Sequence, residues 1–328
     1  MAWDEKKIAG SSAIRLLLIG RGYVARRLTR RLTGPPAPGA TGADTTGADT
    51  TGAGGHYTDL SVLGATHRAG GAPRQPGDFP FGDSAAAGPL LAQATHLLIS
   101  APPDAAGDPT LRWLGRDGLA ALPALRWIGY LSSTGVYGDH GGAWIDETAP
   151  LRPRGPTAER RARAEAQWLD ARLDARSPAD GRRGLPVTVF RLSGIYGPGR
   201  SAFDALEAGT ARRIDKPGHV FCRCHVDDIC AVLRRSMAGA GASPIYNVAD
   251  DLPAPQRAAV EFAAGLTGAA PPPLVPYDPD ALPAALRRFY EACRRIRNAR
   301  IKDELGVRLR YPTYREGLRA IAEEEGRI

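Results

Sequence analysis

One segment near the N-terminus restricts the fold more than any other part of the chain. Residues Ile14 to Ile19 form a largely apolar run that is β-branched at both ends, which is typical of a buried parallel strand. The turn Gly20-Arg21-Gly22 follows directly, and apolar residues then recur at helical spacing from Val24 to Leu32. Arginines occupy the other faces of that helical pattern. The segment therefore predicts a strand, a tight glycine turn and an amphipathic helix in immediate succession.

Further apolar runs alternate with helical patterns along the chain. Strands are expected at 61–67, 94–100, 125–132 and 186–192. Helices are expected at 156–175, 255–266 and 279–305. Strands that alternate with helices predict an α/β fold with a doubly wound parallel sheet. The repetitive stretch 34–55 is predicted to be a flexible insertion, because its composition cannot bury enough apolar surface to offset the entropy of ordering.

The glycine turn has the spacing G-x-G-x-x-A between Gly20 and Ala25. In such a turn the first glycine allows a tight bend and the second lets the backbone approach a pyrophosphate. The small last residue lets the helix pack closely on the strand. The phosphates then lie at a helix N-terminus, where free N–H groups and the helix dipole favour anions. Because the pattern follows a strand and opens a helix, it predicts a site for a nicotinamide dinucleotide.

The end of the predicted second strand indicates which form of that cofactor is preferred. A site for NAD usually has an acid at this point, which binds the ribose hydroxyls. Here the strand ends Thr66-His67-Arg68 without an acid, and Arg68 is a candidate to pair with a 2′-phosphate. We therefore expect NADP(H) in preference to NAD(H).

The composition argues against several other kinds of protein. The 328 residues carry a net charge of +8, but no DNA-binding motif or aromatic–basic platform accompanies the scattered arginines, so no nucleic-acid partner is expected. A basic surface still favours a phosphorylated cofactor or an anionic substrate. No run reaches the about 20 apolar residues of a membrane helix, and the polar N-terminus has no signal core, which predicts a cytoplasmic protein without a membrane partner. Cys222 and Cys224 lack the spacing and the second ligand pair of a zinc site, so no metal is expected.

Several longer motifs follow one another in a fixed order over roughly residues 14 to 323. They are the glycine turn, Leu131 to Gly138, Asp146 to Pro150, Arg191 to Arg200, His225 to Ile229 and Tyr246 to Asp251. With these motifs the chain resembles the extended short-chain dehydrogenase/reductases, the NAD-dependent epimerase/dehydratase superfamily. The turn from Ser100 to Pro103 and the tail from Asn298 to Pro312 are similar to its atypical, YeeZ-like branch. The alternation of strands and helices loosens from Gly194 onward, so we expect a Rossmann domain over 12–193 that binds NAD(P), to which 226–250 returns, and a smaller substrate-binding lobe over 194–328.

The resemblance also implies a catalytic set that this chain carries only in part. The family uses a Ser or Thr with a Tyr-x-x-x-Lys pair, whose tyrosine transfers a proton while a hydride moves to or from the nicotinamide. Ser133 takes the place of the Ser/Thr, but Thr157 and Arg161 stand where the tyrosine and the lysine are expected. Threonine cannot supply a proton near neutral pH as a tuned phenol does, and arginine stays protonated. Tyr137, just past the same strand as Ser133, is a candidate replacement.

The other candidate residues are expected to contact the cofactor or the substrate. The predicted cofactor-binding residues are Gly20, Arg21, Gly22, Tyr23, Val24, Arg68, Ala101, Pro102, Ser132 and Arg161. Tyr196 and Arg200 lie in a glycine- and proline-rich turn and are candidates for the substrate site, since arginine binds carboxylate or phosphate bidentately. Asp227 or Asp228 is expected to cap the helix that follows His225.

Two functions of different classes stay open from the sequence. One is an NAD(P)-dependent oxidoreductase or epimerase that acts on a small polar substrate, with Ser133 polarising a carbonyl or hydroxyl group. A side chain other than the usual tyrosine would then handle the proton. The other is a catalytically silent protein that senses NADP(H) or serves as a partner subunit, which the absent Tyr-Lys pair favours. The sequence leaves the oligomeric state open.

Overall fold

The strand, turn and helix near the N-terminus have the predicted form. The computed structural model describes residues 13–33, 60–68, 77–173 and 184–328. In it, strand β1 spans Ile14–Ile19 and helix α1 spans Tyr23–Thr33. The side chains from Leu16 to Ile19 are fully buried, as expected for a parallel strand that is covered on both faces. The apolar face of α1, with Val24 and Leu28, is buried as well.

The predicted doubly wound parallel sheet is confirmed. Its other strands are β2 Leu60–His67, β3 Phe79–Pro80, β4 His96–Ile99, β5 Trp127–Ser133, β7 Val187–Leu192 and β11 Ile245–Val248. The seven strands have the order β11-β7-β5-β4-β1-β2-β3. The chain thus proceeds outward from β1 in both directions, and in such sheets ligands bind outside the carboxyl ends of the strands.

Among the described residues, three pairs of short strands lie outside the central sheet, and each pair is parallel. The pairs are β6 Trp144–Ile145 with β13 Arg295–Ile296, β8 Gly194–Tyr196 with β10 Arg223–His225, and β9 Arg213–Asp215 with β12 Leu274–Pro276. All of these strands follow β5 in the chain. The segments after β5 therefore build additional structure around the strands that they contribute to the central sheet.

The remaining helices connect these strands, except for the last two, which follow β13. They are α2 Ser84–Gln93, α3 Pro109–Leu114, α4 Arg116–Ala120, α5 Gly155–Leu173, α6 Ala202–Glu207, α7 Val226–Met237, α8 Gln256–Thr267, α9 Ala284–Tyr290, α10 Ala299–Asp303 and α11 Tyr314–Glu324. Within the described ranges, no helix has both the length and the apolar character that crossing a membrane requires.

The prediction of one long helix over 279–305 is wrong. The segment instead contains α9, strand β13 and α10. Pairing with residues distant in sequence explains the interruption: the N–H of Arg295 donates to the carbonyl of Ala143 and the N–H of Arg297 to that of Ile145, both over 2.8 Å. These bonds hold the segment extended against β6, so tertiary pairing overrides the local helical preference.

The described residues divide into two compact units. Unit 1 comprises 13–33, 60–68, 77–101, 110–129 and 184–186, and unit 2 comprises 102–109, 130–173 and 187–328. The interior of unit 2 contains one apolar cluster with Tyr196, Phe203 and Tyr314, and another with Val136 and Ile296. The predicted division of the chain into 12–193 and 194–328 stays a prediction.

Candidate functional site

Gly20 ends β1 in a backbone conformation that favours glycine. Its φ is 97°, in a region that residues with a Cβ rarely adopt. A Cβ at this position would lie 2.9 Å from both the Ala101 nitrogen and the Ser100 hydroxyl. The N–H of Gly20 donates to Thr66 Oγ1 and its carbonyl accepts from Ser100 Oγ, each over 2.8 Å. Conformation and close packing therefore both require glycine at the start of the turn.

Gly22 differs from Gly20, because the fold itself does not require glycine here. A Cβ at Gly22 would meet only the Ser100 hydroxyl, at 3.8 Å, which is an ordinary contact. Gly22 is exposed at the start of α1, whose first turn contains no acid. The first N–H groups of a helix have no partner inside the helix. The turn thus offers open space, backbone donors and no opposing carboxylate in the helix, which fits the pyrophosphate of a dinucleotide.

Other predicted cofactor residues of unit 1 differ in their burial and in their ion pairs with the rest of the protein. Arg21 forms an ion pair with Asp78 over 2.5 Å, with side-chain exposures of 7% and 1%. Tyr23 is half-buried and Val24 is buried in the first turn of α1. Arg68 is exposed at the end of β2 and forms no ion pair with a described residue. The charge of Arg21 is therefore neutralised by Asp78, whereas Arg68 keeps an exposed positive charge.

Two adjacent serines in unit 2, at the end of β5, have different surroundings. Ser132 is buried, and its hydroxyl donates to Glu165 Oε2 over 2.7 Å. Ser133 is half-buried, and its oxygen accepts from the N–H of Gly135 over 3.1 Å, which caps the short 3₁₀ helix Thr134–Tyr137. The Ser133 proton is not used in that bond, so this hydroxyl is able to donate to a substrate oxygen.

Tyr137 belongs to a buried polar network, which is made of Ser132, Glu165, Arg191, Tyr137 and Asn247. Arg191 donates to the Tyr137 oxygen over 2.7 Å, and the Tyr137 hydroxyl donates to Asn247 Oδ1 over 2.8 Å. Arg191 also forms an ion pair with Glu165, with side-chain exposures of 3% and 1%. Burial raises the pKa of Tyr137, although Arg191 opposes the rise. In this arrangement the phenol proton is directed to Asn247 and not to a substrate.

The positions of the missing Tyr-Lys pair lie on helix α5. Thr157 is exposed. Arg161 donates to the carbonyl of Leu131 over 2.7 Å, so its guanidinium is bonded to the backbone of β5 next to the two serines. Pro102, also predicted to contact the cofactor, is exposed in unit 2. Arg161 therefore supports the strand end that carries Ser132 and Ser133.

The two predicted substrate residues, Tyr196 and Arg200, differ in their exposure to solvent. Tyr196 is buried in an apolar cluster of unit 2, where its ring lies edge-on to His225 at 5.2 Å between centroids. Burial raises its pKa, as do nearby acids, Asp250 first. Arg200 is exposed. It lies in a turn in which the N–H of Arg200 donates to the Gly197 carbonyl and the N–H of Gly197 donates to the Arg200 carbonyl. The aromatic ring of Tyr196 is thus part of the interior, whereas Arg200 lies at the surface.

His225, and not an aspartate, caps helix α7. The N–H of Asp227 donates to Nδ1 of His225 over 3.2 Å. Asp228 instead accepts from the N–H groups of Arg310 and Tyr311, over 2.7 and 3.1 Å. The expectation of an aspartate cap is therefore wrong, because Asp228 is needed to bind the backbone before α11.

Asp250 is a buried acid that sequence reasoning treated only as part of a motif. It follows β11, is 1% exposed, and has no protein partner of normal hydrogen-bond geometry among the described residues. Burial raises its pKa to about 8, although the Arg223 charge lowers it. Burial therefore favours the protonated form of this carboxyl group.

Comparison with family models and with curated proteins does not assign this chain to a family. No family model matches the chain, and no curated protein matches it. Among solved structures, a conserved protein of unknown function from Silicibacter pomeroyi is 41% identical and superposes with a TM-score of 0.73; the match covers 95% of this chain and 99% of that chain.

The chain belongs to the family of that protein. More distant structures share the fold of this family. A protein described as an NAD-dependent epimerase/dehydratase from Methylobacillus flagellatus is 23% identical, with a TM-score of 0.63 over 96% of this chain and 100% of that chain. The protein RMD from Pseudomonas aeruginosa, complexed with NADPH, is 19% identical, with a TM-score of 0.63 over 95% and 99%.

Sequence reasoning missed the residues that hold the serines in place. Glu165 lies four positions after Arg161, so both face the same side of α5. Arg191 is a charged residue within a fully buried strand, a place where arginine occurs only with a partner. These two signals together point to a buried ion pair. Asp78, by contrast, had no local signal, because its pairing with Arg21 depends on the fold.

Proposed function

We propose that the chain binds a nicotinamide dinucleotide, NADP(H) in preference to NAD(H), and acts as an NAD(P)-dependent oxidoreductase or epimerase on a small polar substrate. The observation that carries the proposal is the turn at Gly22, where a Cβ would meet a single protein atom at 3.8 Å and the following helix begins without an acid. Two proteins of the same fold support this cofactor class, since one is described as NAD-dependent and the other is complexed with NADPH.

The residues of the turn have distinct roles in this proposal. Gly20 provides the bend, while Gly22 and the N–H groups of Tyr23 and Val24 bind the pyrophosphate. Arg68 pairs with the 2′-phosphate. The other predicted contacts are Arg21, Ala101, Pro102, Ser132 and Arg161. The bound nicotinamide supplies or accepts a hydride, which no side chain of the chain provides.

The substrate chemistry is assigned to Ser133. Its half-buried hydroxyl donates a hydrogen bond to the substrate oxygen and so polarises the carbonyl or hydroxyl group that reacts. Arg161 and Glu165 act on the same strand end, since they bind the Leu131 carbonyl and the Ser132 hydroxyl. Tyr137 receives no proton-transfer role, because its proton is bonded to Asn247. Arg200 stays a candidate to bind an anionic part of the substrate, and Tyr196 a candidate for its wall.

One observation favours a second candidate function, a catalytically silent NADP(H)-binding protein. The position of the usual tyrosine holds Thr157, and the phenol of Tyr137 is engaged inside the protein. Dinucleotide binding without turnover would follow. A screen of small aldehydes, ketones and hydroxy acids, monitored by nicotinamide absorbance, distinguishes the two: turnover that is lost in Ser133→Ala supports the enzyme, and binding without turnover of any compound supports the silent protein.

The binding step is tested by titration of the purified protein with NADPH, followed by nicotinamide fluorescence. Gly22→Ala is expected to weaken binding at least about tenfold, because the added methyl group occupies the space of the pyrophosphate without disturbing the fold. Gly118→Ala is the matched control, since a Cβ there meets no atom within 4 Å and the position is remote from the turn in sequence. Absence of NADPH and NADH binding, or equal binding by both variants, would overturn the proposal.

A further inference from the structure

Unit 2 contains a second group of polar and aromatic side chains that the proposed chemistry does not use. We call it the Lys216 cluster, and it consists of Lys216, His219, Phe221, Tyr277, Tyr290 and Arg294. The His219 ring lies 4.7 Å from Phe221 and 5.4 Å from Tyr290, between centroids, and Tyr277 lies 5.3 Å from Tyr290. The rings therefore form one continuous set of contacts.

Three polar atoms of the Lys216 cluster are buried without a protein partner. They are both ring nitrogens of His219 and the hydroxyl oxygen of Tyr290, in residues that are 5% and 3% exposed. The Ala292 backbone lies near enough to His219 to favour the protonated ring, but no described residue completes a hydrogen bond of normal geometry. Buried polar groups are paired in most proteins, so these atoms are available to a hydrogen-bonding partner from outside the chain.

The two cations of the Lys216 cluster form no ion pair with a carboxylate in the part of the chain that the structure describes. The Lys216 ammonium donates to the carbonyl of Tyr290 over 2.5 Å and lies 4.2 Å from the centre of the Tyr277 ring. Arg294 donates to the carbonyl of Gly138 over 2.8 Å. Neither takes part in an ion pair with a described residue, whereas Arg191 and Arg213 each pair with a glutamate.

Asp139 is an acid close enough to the Lys216 cluster to influence its charged groups. Asp139 favours the charged forms of both His219 and Arg294, but its carboxylate already accepts from the N–H groups of Cys293 and Gly141. Burial, Lys216 and Arg294 together lower the pKa of His219 to about 4, against the effect of Asp139. The cluster therefore has an excess of positive charge around a neutral imidazole.

We propose that the Lys216 cluster binds an oxyanion, the phosphate or carboxylate group of a substrate. Lys216 and Arg294 neutralise its charge, while the Tyr290 hydroxyl and a His219 N–H donate hydrogen bonds to its oxygens. Pro217 and Gly218, next to His219 in the chain, are exposed, so the Lys216 cluster lies close to the surface in sequence. The assignment to the substrate rests on the proposed function, whereas the anion site itself does not.

The site is tested by NMR on protein labelled at its histidines, with the His219 ring signals assigned from a His219→Gln variant. Inorganic phosphate and acetate are titrated in separate arms at constant ionic strength, so that the two oxyanions are distinguished. We expect a saturable change in the His219 signals in at least one arm. Because the bound anion stabilises the imidazolium, we also expect the His219 pKa to rise by about one unit or more.

Lys216→Met is expected to lower the affinity for the anion at least about tenfold, because it removes a full charge but keeps an unbranched side chain. Lys302→Met is the matched control: that lysine pairs with Asp251 outside the cluster, and its loss is expected to leave the titration unchanged. Lys216→Arg keeps the charge and is expected to keep the response. Unchanged His219 signals in both arms, or equal affinity in Lys216→Met, would overturn the proposal.

NADPH binding is measured on the same samples, which separates the two proposals. NADPH binding without an anion response contradicts the anion site and leaves the proposed function standing. An anion response without NADPH binding contradicts the proposed function and retains the anion site.

Discussion

Arg68 is the single residue on which the proposed choice between NADPH and NADH depends. It is exposed and forms no ion pair with a described residue, whereas the Arg21 charge is compensated by Asp78. Arg68→Ala is expected to raise the Kd for NADPH about tenfold or more and to leave that for NADH unchanged, because only NADPH carries the 2′-phosphate. Fluorescence titrations measure both constants. The exposed Arg30 in α1 serves as the control in Arg30→Ala; equal weakening of both cofactors would contradict the assignment.

Asp250 makes the stability of the protein depend on pH. Its pKa is raised from 3.8 to about 8, first of all by burial. Between these values the folded chain keeps a proton that the unfolded chain has released, so the free energy of unfolding falls as the pH rises. Asp250→Asn stays neutral, and its stability relative to wild type is expected to increase with pH by at most about 1.4 kcal/mol per unit. Urea unfolding at several pH values measures this difference.

The neighbouring acid provides the control for that experiment. Asp251 is 39% exposed and pairs with Lys302. Asp251→Asn is the matched substitution at an exposed site, and it is expected not to reproduce the increase, because Asp251 lacks the burial that produces it at Asp250. A difference between Asp250→Asn and wild type that is constant from pH 3.8 to about pH 8 would mean that Asp250 is ionised in the fold.

At the scale of single elements, the sequence predicts best where a short segment determines its own structure. The run Ile14–Ile19 and the helix after Gly22 follow from local periodicity, and both are confirmed. The stretch 279–305 contains residues that favour a helix, yet Arg295 and Ile296 pair with β6. Contacts between residues this distant in sequence cannot be inferred from a local pattern. The candidate serine was found by its motif, whereas the Glu165–Arg191 pair that supports its strand links a helix to another strand.

That ion pair joins helix α5 to strand β7 and is expected to matter for stability. Arg191→Met leaves the Glu165 carboxylate buried without its partner, so we expect the free energy of unfolding to fall by about 3–5 kcal/mol. The double variant Glu165→Gln/Arg191→Met is expected to lose less than the sum of the single losses, because no unpaired charge remains. Arg213→Met is the control, since the Arg213–Glu261 pair is only partly buried and is worth at most about 1 kcal/mol. Equal losses in Arg191→Met and Arg213→Met would mean that Glu165 becomes protonated or solvated.

At the scale of the whole molecule, a ligand that binds only the folded chain raises the free energy of unfolding. NADPH at about 100 times its Kd is therefore expected to raise the free energy of unfolding by about 2.7 kcal/mol. Urea unfolding with and without NADPH measures the increase. Gly22→Ala is expected to unfold like wild type without NADPH, since its Cβ makes one ordinary contact. At the same NADPH concentration it is expected to gain at most about 1.4 kcal/mol, because its Kd is at least about tenfold higher. The same increase in Gly22→Ala would mean that NADPH binds away from the glycine turn, and no increase in either protein would mean that the folded chain does not bind it.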